Sequence, residues 1–277
     1  MNILTVVFEK DLGNLLYQAY SLKKNWLGEK RWIVIVEDKI ETKQFIENRI
    51  VPIMKLDGWE IVVQMAPNMN LSAGWWRQQV CKLWAASEIC NSAYSLILDA
   101  KNFLINPINE TFFFNNGNLK VRLWSDEKFG MQGCGHDRNW SEWCQFFGKD
   151  PTKLTETWVT TPWVWQKELV KLTIKEFLIR GVDIYTHGIR LPVWEFDAYW
   201  IVSQEHLSHE DADFGEAIWW HTDRIEMIRD RYKILPFWTF HRRALSNPEL
   251  VNFSNNILLE MGIINDDLIK EYAQLCG

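Results

Sequence analysis

The first third of the chain alternates short apolar runs with amphipathic segments. Largely apolar runs at Asn2–Phe8, Arg31–Asp38 and Gly58–Gln64 predict three buried strands, the second of which ends in acidic residues. Between them, apolar residues recur at helical spacing over Asp11–Lys24, with Asp11 as the expected cap, and a second helix is predicted over Glu41–Arg49. This β-α-β-α-β order predicts an α/β protein with a Rossmann-like, mixed but mainly parallel sheet flanked by helices.

The next predicted strand ends in charged residues. Ser95-Leu-Ile-Leu-Asp99 is an apolar run that stops abruptly at Asp99-Ala100-Lys101, and Pro107 follows the next apolar stretch. In an open α/β sheet, ligands bind in the crevice at the carboxyl ends of the strands. We therefore expect Asp99 and Lys101 to face a ligand.

A polar helix is predicted before that strand. Its sequence is Gly74-Trp-Trp-Arg-Gln-Gln-Val-Cys-Lys-Leu83, in which Gln78 and Lys82 lie one turn apart on one face and Arg77 shares another face with Cys81. The helix could therefore aim polar groups at a ligand. The structural alternative is a surface helix whose Arg and Lys are solvated.

The second half of the chain has further recognisable segments. A strand is predicted at Leu119–Trp124, and a Gly- and Trp-rich connection at Lys128–Lys149 is typical of a segment beside a cleft. Pro162 is expected in the first turn of a helix that ends at Ile179. Over Ile184–Gln204 we predict a strand, a turn and then a helix that opens with Trp194-Glu-Phe-Asp-Ala-Tyr-Trp200, and Lys233–Arg243 is an apolar run that ends in a His and two Arg.

Taken together, the Gly-Trp-Trp-Arg-Gln-Gln helix, the strand ending at Asp99 and the Trp194–Trp200 segment resemble nucleotide-sugar-dependent glycosyltransferases of the GT-A fold. The resemblance is to a bacterial and viral group with a Gly-aromatic-aromatic-Arg-Gln-Gln helix, an Asp-x-Asp motif and a Ser-Glu-aromatic-Glu-x-Tyr-Gly signature, and it extends to about Tyr199. It implies one GT-A domain over 1–277, with a nucleotide-binding half at 1–107 and an acceptor-side half at 108–277. The sequence departs from the pattern at Lys101, which replaces a carboxylate, and at Trp194 and Trp200, which replace small residues.

The resemblance also implies roles for individual residues. Asp99 would hold the ribose or the sugar, the ends of the first two strands would cradle the base, and either Asp197 or Glu195 would be the general base, with Asp197 slightly favoured. Lys101 would supply fixed positive charge in place of a metal ion, although a solvated Lys101 with a metal bound elsewhere stays an alternative. The implied donor-binding residues are Val7, Phe8, Glu37, Arg77, Asp99, Lys101 and His241.

On this basis the expected activity is transfer of a sugar from a nucleotide sugar to a carbohydrate or another hydroxyl acceptor. The donor is expected to be a uridine diphosphate sugar such as UDP-glucose, and the reaction is expected to invert configuration without a divalent metal or other cofactor. The alternative from another class is a degenerate GT-A-fold protein that binds glycans on its tryptophans without catalysis. The chain has 17 Trp, and composition cannot separate core rings from rings that stack on sugars.

Charge and cysteine content exclude other classes. The formal net charge of -6 argues against a nucleic-acid partner, which needs clustered Lys and Arg. No apolar run is long enough to span a membrane, no export signal is recognisable, and five scattered cysteines suit reduced thiols in a cytoplasm. Neither Cys134-x-His136 with Cys144 nor His206-x-x-His209 has the spacing of a familiar zinc or metal-hydrolase site.

Overall fold

A computed structural model gives the positions of most of the chain. It describes residues 1–37, 39–69, 74–123, 139–157, 161–186, 193–218, 225, 231–240, 244 and 246–276. The described chain forms two compact units. Unit 1 comprises Met1–Ala66, Leu98–Phe112 and Phe214–Gly277, and unit 2 comprises Pro67–Ile97 and Phe113–Asp213. That the whole chain is one domain, divided into halves at residue 107, stays a prediction.

Eleven strands are numbered in chain order within the described residues. They are β1 Asn2–Val7, β2 Arg31–Val36, β3 Glu60–Met65, β4 Tyr94–Asp99, β5 Asn102–Leu104, β6 Phe114–Asn115, β7 Asn118–Val121, β8 Trp163–Gln166, β9 His209–Asp211, β10 Gly215–Ile218 and β11 Phe237–Phe240.

The α-helices of the described chain are numbered in the same way. They are α1 Leu12–Asn25, α2 Ile40–Phe45, α3 Val51–Lys55, α4 Trp75–Trp84, α5 Trp140–Phe146, α6 Lys167–Ile179, α7 Glu195–Ser203, α8 Pro248–Glu260 and α9 Asp266–Cys276. Short 3₁₀ turns lie at Glu9–Asp11, Glu110–Phe113, Pro151–Lys153, Gln204–His206 and Arg231–Lys233, and π turns at Ile46–Ile50 and Ala85–Ile89. None of the helices in these ranges is both long and apolar enough to cross a bilayer.

The central sheet confirms the predicted fold class. Its strand order is β3-β2-β1-β4-β8, in which β1 and β2, and β2 and β3, are parallel, while β4 and β8 are antiparallel. Two three-stranded sheets complete the described strands, with orders β10-β11-β5 and β6-β7-β9. The protein is thus an α/β protein with a mixed, mainly parallel central sheet and flanking helices.

Unit 1 owes its core to continuous apolar strands. Every residue of β1 is buried, and so is every residue of β2 after Arg31, as expected for parallel strands covered on both faces. The helix α1 contacts β5 and α9. Tyr17 of α1 stacks on Tyr272 of α9 with ring centroids 4.5 Å apart, and the Tyr272 hydroxyl donates to Asn14 Oδ1 at 3.0 Å.

Unit 2 contains a helix that is buried on all sides. All nine residues of α7 are buried, including two acidic ones, and α7 packs against α4, α5 and α6. Buried polar groups need partners, and two aromatic residues of α7 have them. The Gln166 amide donates to the Tyr199 hydroxyl at 2.9 Å, and Trp200 Nε1 donates to the Thr155 carbonyl at 2.6 Å.

Some local predictions were wrong. Asp11 lies at the N-cap position of α1, as predicted, but its side chain makes no capping hydrogen bond. Pro162 lies before the strand β8 instead of in the first turn of a helix, which begins only at Lys167. The run Trp163-Val-Trp165 is aromatic and β-branched, which favours the extended partner of β4 that the structure shows. Ile184 lies in an irregular segment and not in a strand.

Other boundaries differ in extent. The helix predicted over Glu41–Arg49 begins at Ile40 and continues through a π turn into α3, which ends at Lys55. The strand predicted to reach Trp124 ends at Val121. Asp38, Trp124, much of the Gly-rich connection, Pro192 and His241 lie outside the described residues, as do Cys134 and His136.

Candidate functional site

The strand β4 ends in a tight turn that carries Asp99 and Lys101. Ala100 and Lys101 form the turn, and β5 begins directly after it at Asn102. Lys101 Nζ lies 3.2 Å from Asp99 Oδ2, and the two side chains are 27% and 17% exposed. The turn thus presents an ion pair that solvent, and therefore a ligand, can reach.

Two fully buried amide side chains fix the backbone of this turn. Gln18 of α1 accepts from Thr5 Oγ1 at 2.8 Å and donates to the carbonyls of Asp99 and Asn102 at 2.7 and 2.9 Å. The Asn102 side chain accepts from the Asp99 amide at 2.6 Å and donates to Thr239 Oγ1 at 2.8 Å. Groups of a site that are held in this way need little reorganisation when a ligand arrives.

The same unit contains the three residues predicted to cradle a base. Val7 ends β1, Glu37 follows β2, and the Glu37 amide donates to the Val7 carbonyl at 3.1 Å. Glu37 is 1% exposed and Phe8 is 9% exposed. Lys10 Nζ lies 4.8 Å from the centroid of the Phe8 ring. The ends of the first two strands therefore combine an aromatic ring with a buried carboxylate.

In unit 2, the polar residues of α4 hold the start of α7. Lys82 Nζ lies 3.1 Å from Glu195 Oε1, and their side chains are only 4% and 3% exposed. The same ammonium lies 4.7 Å from the centroid of the Phe196 ring, a cation–π contact. The Glu195 amide donates to Gln79 Oε1 at 3.3 Å. Gln79 and Lys82 of α4 are therefore turned inwards and are not solvated, whereas Arg77 and Gln78 are partly exposed.

Asp197 lies two residues after Glu195 and is fully buried. Its carboxylate contributes to the electrostatics of Cys144 in α5. The pKa of that thiol is raised to about 12, chiefly by burial and further by the negative charges of Glu156 and Asp197. Cys144 therefore stays a neutral thiol at physiological pH. The structure places Asp197 inside unit 2, with no surface exposed to solvent.

Arg77 lies in the first turn of α4 and is half-buried. Its Nη2 donates to the Pro67 carbonyl at 3.4 Å, which is a long hydrogen bond, and its buried Nε meets no acceptor within the described ranges. The predicted site residues thus fall into two groups, one in each unit. The first contains Val7, Phe8, Glu37, Asp99 and Lys101, and the second contains Arg77, Glu195 and Asp197.

Four further polar residues support these groups but were not among the predicted site residues. Gln18 and Asn102 hold the turn at Lys101, and Gln79 and Lys82 hold the first turn of α7. The sequence contained a signal for Gln18, which interrupts the apolar face of α1 between Leu15 and Leu22, since a polar residue on a buried face needs a partner.

Within the part of the chain that the structure describes, no three His, Cys, Asp or Glu side chains are grouped so as to hold a metal ion. His209 lies in β9, with its ring centroid 4.7 Å from that of Trp200, and its Nδ1 is 3.1 Å from the Leu207 carbonyl.

The chain matches one sequence family and several solved structures. A model described as a family of unknown function (DUF6492) matches residues 15–225. No curated protein matches the sequence. A crystal structure of the galactosyltransferase LgtC in complex with donor and acceptor sugar analogues aligns with a TM-score of 0.51 and 10% identity, over 96% of this chain and 98% of that chain.

Two further structures also align. An active-site mutant of LgtC gives a TM-score of 0.52 and 12% identity, with the same coverage of 96% and 98%. Mouse xyloside xylosyltransferase 1, in its apo form, gives 0.45 and 10%, over 86% of this chain and 97% of that chain. At this level of identity the two LgtC structures show the fold alone, which is that of the GT-A glycosyltransferases, as the sequence predicted.

Proposed function

We propose that this chain, which belongs to the family of unknown function DUF6492, is a glycosyltransferase that uses a nucleotide sugar, most simply a uridine diphosphate sugar. The observation that carries the proposal is the Asp99–Lys101 pair, a partly exposed ion pair on a rigid turn at the end of a central strand. That edge of an α/β sheet is where ligands of such folds bind. The GT-A fold that the chain shares with LgtC is consistent with this activity.

On the donor side, the two charges of the turn have separate tasks. The Asp99 carboxylate can accept hydrogen bonds from the hydroxyls of the ribose or the sugar. The Lys101 ammonium, now 3.2 Å from Asp99, can turn to the diphosphate and stabilise the charge that develops on it as the glycosidic bond breaks. A resident ammonium would take the place of a divalent cation, and we therefore propose that transfer requires no metal.

The remaining donor contacts that we propose are those of the sequence prediction. Phe8 offers a ring beside which a base can pack, and the buried Glu37 carboxylate can accept a hydrogen bond from a base N–H. The Arg77 guanidinium can donate two parallel hydrogen bonds to a phosphate, which a lysine cannot reproduce. We retain His241 as a further donor contact from the sequence prediction.

On the acceptor side, we keep Asp197 as the favoured general base, with Glu195 as its alternative. Glu195 is engaged by a buried lysine at 3.1 Å, which holds its carboxylate at the start of α7. Asp197 has no exposed surface, so an acceptor hydroxyl can reach it only if acceptor binding opens a path. Direct deprotonation of the acceptor by Asp197 would lead to inversion of configuration at the transferred sugar.

A screen of nucleotide sugars tests the donor side. The purified chain is incubated with each nucleotide sugar in excess EDTA and, separately, with manganese or magnesium. Water is the acceptor of the sugar, and the released nucleoside diphosphate is measured. We expect release from a uridine diphosphate sugar in EDTA. Release that requires metal would refute the role of Lys101 and retain the transferase, whereas no release from any donor would favour a glycan-binding protein without catalysis.

Substitution of the lysine sharpens the same assay. We expect Lys101→Ala to raise the activation barrier of turnover by about 3–4 kcal/mol, the usual cost of losing one such donor. Lys101→Arg should retain part of the activity. Lys55→Ala is the matched control, because Lys55 is an exposed lysine of α3 in the same unit. Equal losses in the two alanine variants would contradict the assignment.

The base is tested by isosteric amides. We expect Asp197→Asn to lower kcat by roughly 10²- to 10⁴-fold while the KM for the donor changes little. Glu195→Gln should affect stability more than kcat, because it removes the charge that Lys82 faces. If Glu195→Gln lowers kcat and Asp197→Asn does not, the two roles are exchanged.

A further inference from the structure

Four tryptophan rings, which we call the tryptophan surface, meet at the starts of α4 and α7. The centroids of Trp75 and Trp76 are 4.6 Å apart, those of Trp75 and Trp194 are 5.2 Å apart, and those of Trp194 and Trp143 of α5 are 5.4 Å apart. Trp75 is inclined to its two neighbours by 64° and 86°. These edge-to-face contacts fix the orientation of the Trp75 ring.

Trp75 is nevertheless 48% exposed. It is the one aromatic residue among the large apolar side chains that are exposed in the described part of the chain, and the others are all Leu or Ile. Scattered aliphatic residues on a surface need no explanation, but an ordered indole that two neighbouring rings hold half-exposed to water is a feature of binding sites. The other three rings are partly exposed as well.

The position of the tryptophan surface connects it with the proposed chemistry. Trp194 immediately precedes Glu195, and α7 carries Asp197 in its first turn. Trp75 is the first residue of α4, whose Gln79 and Lys82 hold that same turn of α7. A ligand that lies on these rings therefore lies beside the start of α7, where the proposed base is carried.

We infer that the tryptophan surface is the acceptor-binding site and that the acceptor is a saccharide which presents the apolar C–H face of a pyranose ring to Trp75. This inference rests on the proposed function and names the acceptor class for it. A rigid indole offers a large flat area at a low cost in conformational entropy, and its C–H contacts leave the hydroxyls of a sugar free for polar partners.

The exposed area favours this occupant over a second protein chain. The accessible part of Trp75 amounts to on the order of 100 Å², judged from the 150–250 Å² that an aromatic side chain can bury. A stable protein interface needs roughly 800 Å² from each partner. One sugar ring, in contrast, can be covered by one indole. The Ser-Glu-aromatic-Glu-x-Tyr-Gly signature, which the Trp194–Trp200 segment resembles, has small residues at its flanks. The ring of Trp194 is therefore a feature of this chain.

Binding without turnover tests the inference. Saturation-transfer difference NMR is recorded with cellobiose as the probe and with no nucleotide present, and sorbitol serves as a polyol that has hydroxyls but no ring. We expect saturation transfer to the ring C–H protons of cellobiose and none to sorbitol. Trp75→Ala should weaken cellobiose binding at least about tenfold, and Trp75→Phe should retain part of it.

Ile179→Ala is the matched control, because Ile179 is 64% exposed and belongs to the same unit. Absence of cellobiose binding, equal binding of sorbitol, or equal losses in the Trp75→Ala and Ile179→Ala variants would each overturn the inference. So would a wild-type dimer that Trp75→Ala converts to a monomer in sedimentation. Cellobiose binding to a protein that fails the nucleotide-sugar screen would refute the transferase but retain the saccharide site. Release of a nucleoside diphosphate without cellobiose binding would retain the transferase but refute the saccharide site.

Discussion

Among the candidate site residues, each unit has a lysine–carboxylate pair, and these two pairs differ in burial and hardly at all in geometry. Lys101 and Asp99 of unit 1 are 3.2 Å apart, and Lys82 and Glu195 of unit 2 are 3.1 Å apart. The side chains of the first pair are 27% and 17% exposed, whereas those of the second are 4% and 3% exposed. Distance alone therefore does not indicate what an ion pair does.

Burial decides the cost of separating the charges. A pair that water can reach contributes up to about 1 kcal/mol, because solvent replaces the lost partner. A buried pair has already lost its hydration, and removal of one partner leaves a charge that nothing compensates. Lys101 can therefore release Asp99 and turn to a phosphate at little cost, whereas Lys82 stays with Glu195 and fixes the start of α7.

The largest effect should follow from breaking the buried pair. We expect Lys82→Ala to lower the free energy of unfolding by about 3–5 kcal/mol, because Glu195 would be left buried without its cation. Loss of the contact between Lys82 and the Phe196 ring adds to this cost. Urea denaturation, followed by far-UV circular dichroism, gives the difference.

A double substitution separates the charge from the packing. Lys82→Met combined with Glu195→Leu removes both charges and keeps the volume roughly constant, so its stability should return to within about 1–2 kcal/mol of the wild type. A double variant as unstable as Lys82→Ala would show that the loss arises from packing and not from an unpaired carboxylate. The proposed difference between the buried Lys82–Glu195 pair and the partly exposed Lys101–Asp99 pair would then be wrong.

The fold was predictable because it depends on short-range patterns. The strands β1 and β2 are continuous apolar runs, and α1 repeats its apolar residues at helical spacing, so each element reveals itself locally. The prediction at Pro162 was wrong, because a proline is typical of a helix start, whereas the run Trp163-Val-Trp165 after it pairs with β4. A short run of aromatic and β-branched residues can join a sheet or a helix, and only a long-range partner decides between them.

The candidate site was predictable in part for the same reason. Asp99 and Lys101 stand out because charges follow an apolar strand, but nothing in the sequence says that Lys82 is buried. Its position on α4 suits a solvated face equally well, and the pairing with Glu195 joins residues that are 113 positions apart. The indication for Gln18 was a polar residue on an apolar face, whereas its partners Asp99 and Asn102 lie more than 80 positions away.

A smaller effect on stability should come from Asn102, which holds the turn that carries the Asp99–Lys101 pair. Asn102 is fully buried and bonds both the Asp99 amide and Thr239, so Asn102→Ala removes one hydrogen bond from each of these two groups. We expect a loss of roughly 1–3 kcal/mol in the free energy of unfolding and, under the proposed function, a higher KM for the donor. Thr239→Val is the control, because it removes only the hydrogen bond between Asn102 and Thr239 and leaves the one between Asn102 and the Asp99 amide. A higher KM in the control with none in Asn102→Ala would contradict this role of the turn.

The smallest effect on stability should come from the Asp99–Lys101 pair itself. Lys101→Ala removes a cation whose partner Asp99 can be hydrated, so the free energy of unfolding should change by no more than about 1 kcal/mol. The same substitution is the one for which we expect a large loss of turnover, and the two results together distinguish a ligand-binding lysine from a structural one. Measured beside Lys82→Ala under identical urea conditions, it compares two lysines whose nearest carboxylate oxygens are 3.2 and 3.1 Å away. If Lys101→Ala destabilises the protein as strongly as Lys82→Ala, the Asp99–Lys101 pair is part of the framework of unit 1, and the charge that serves the diphosphate has to be sought at Arg77.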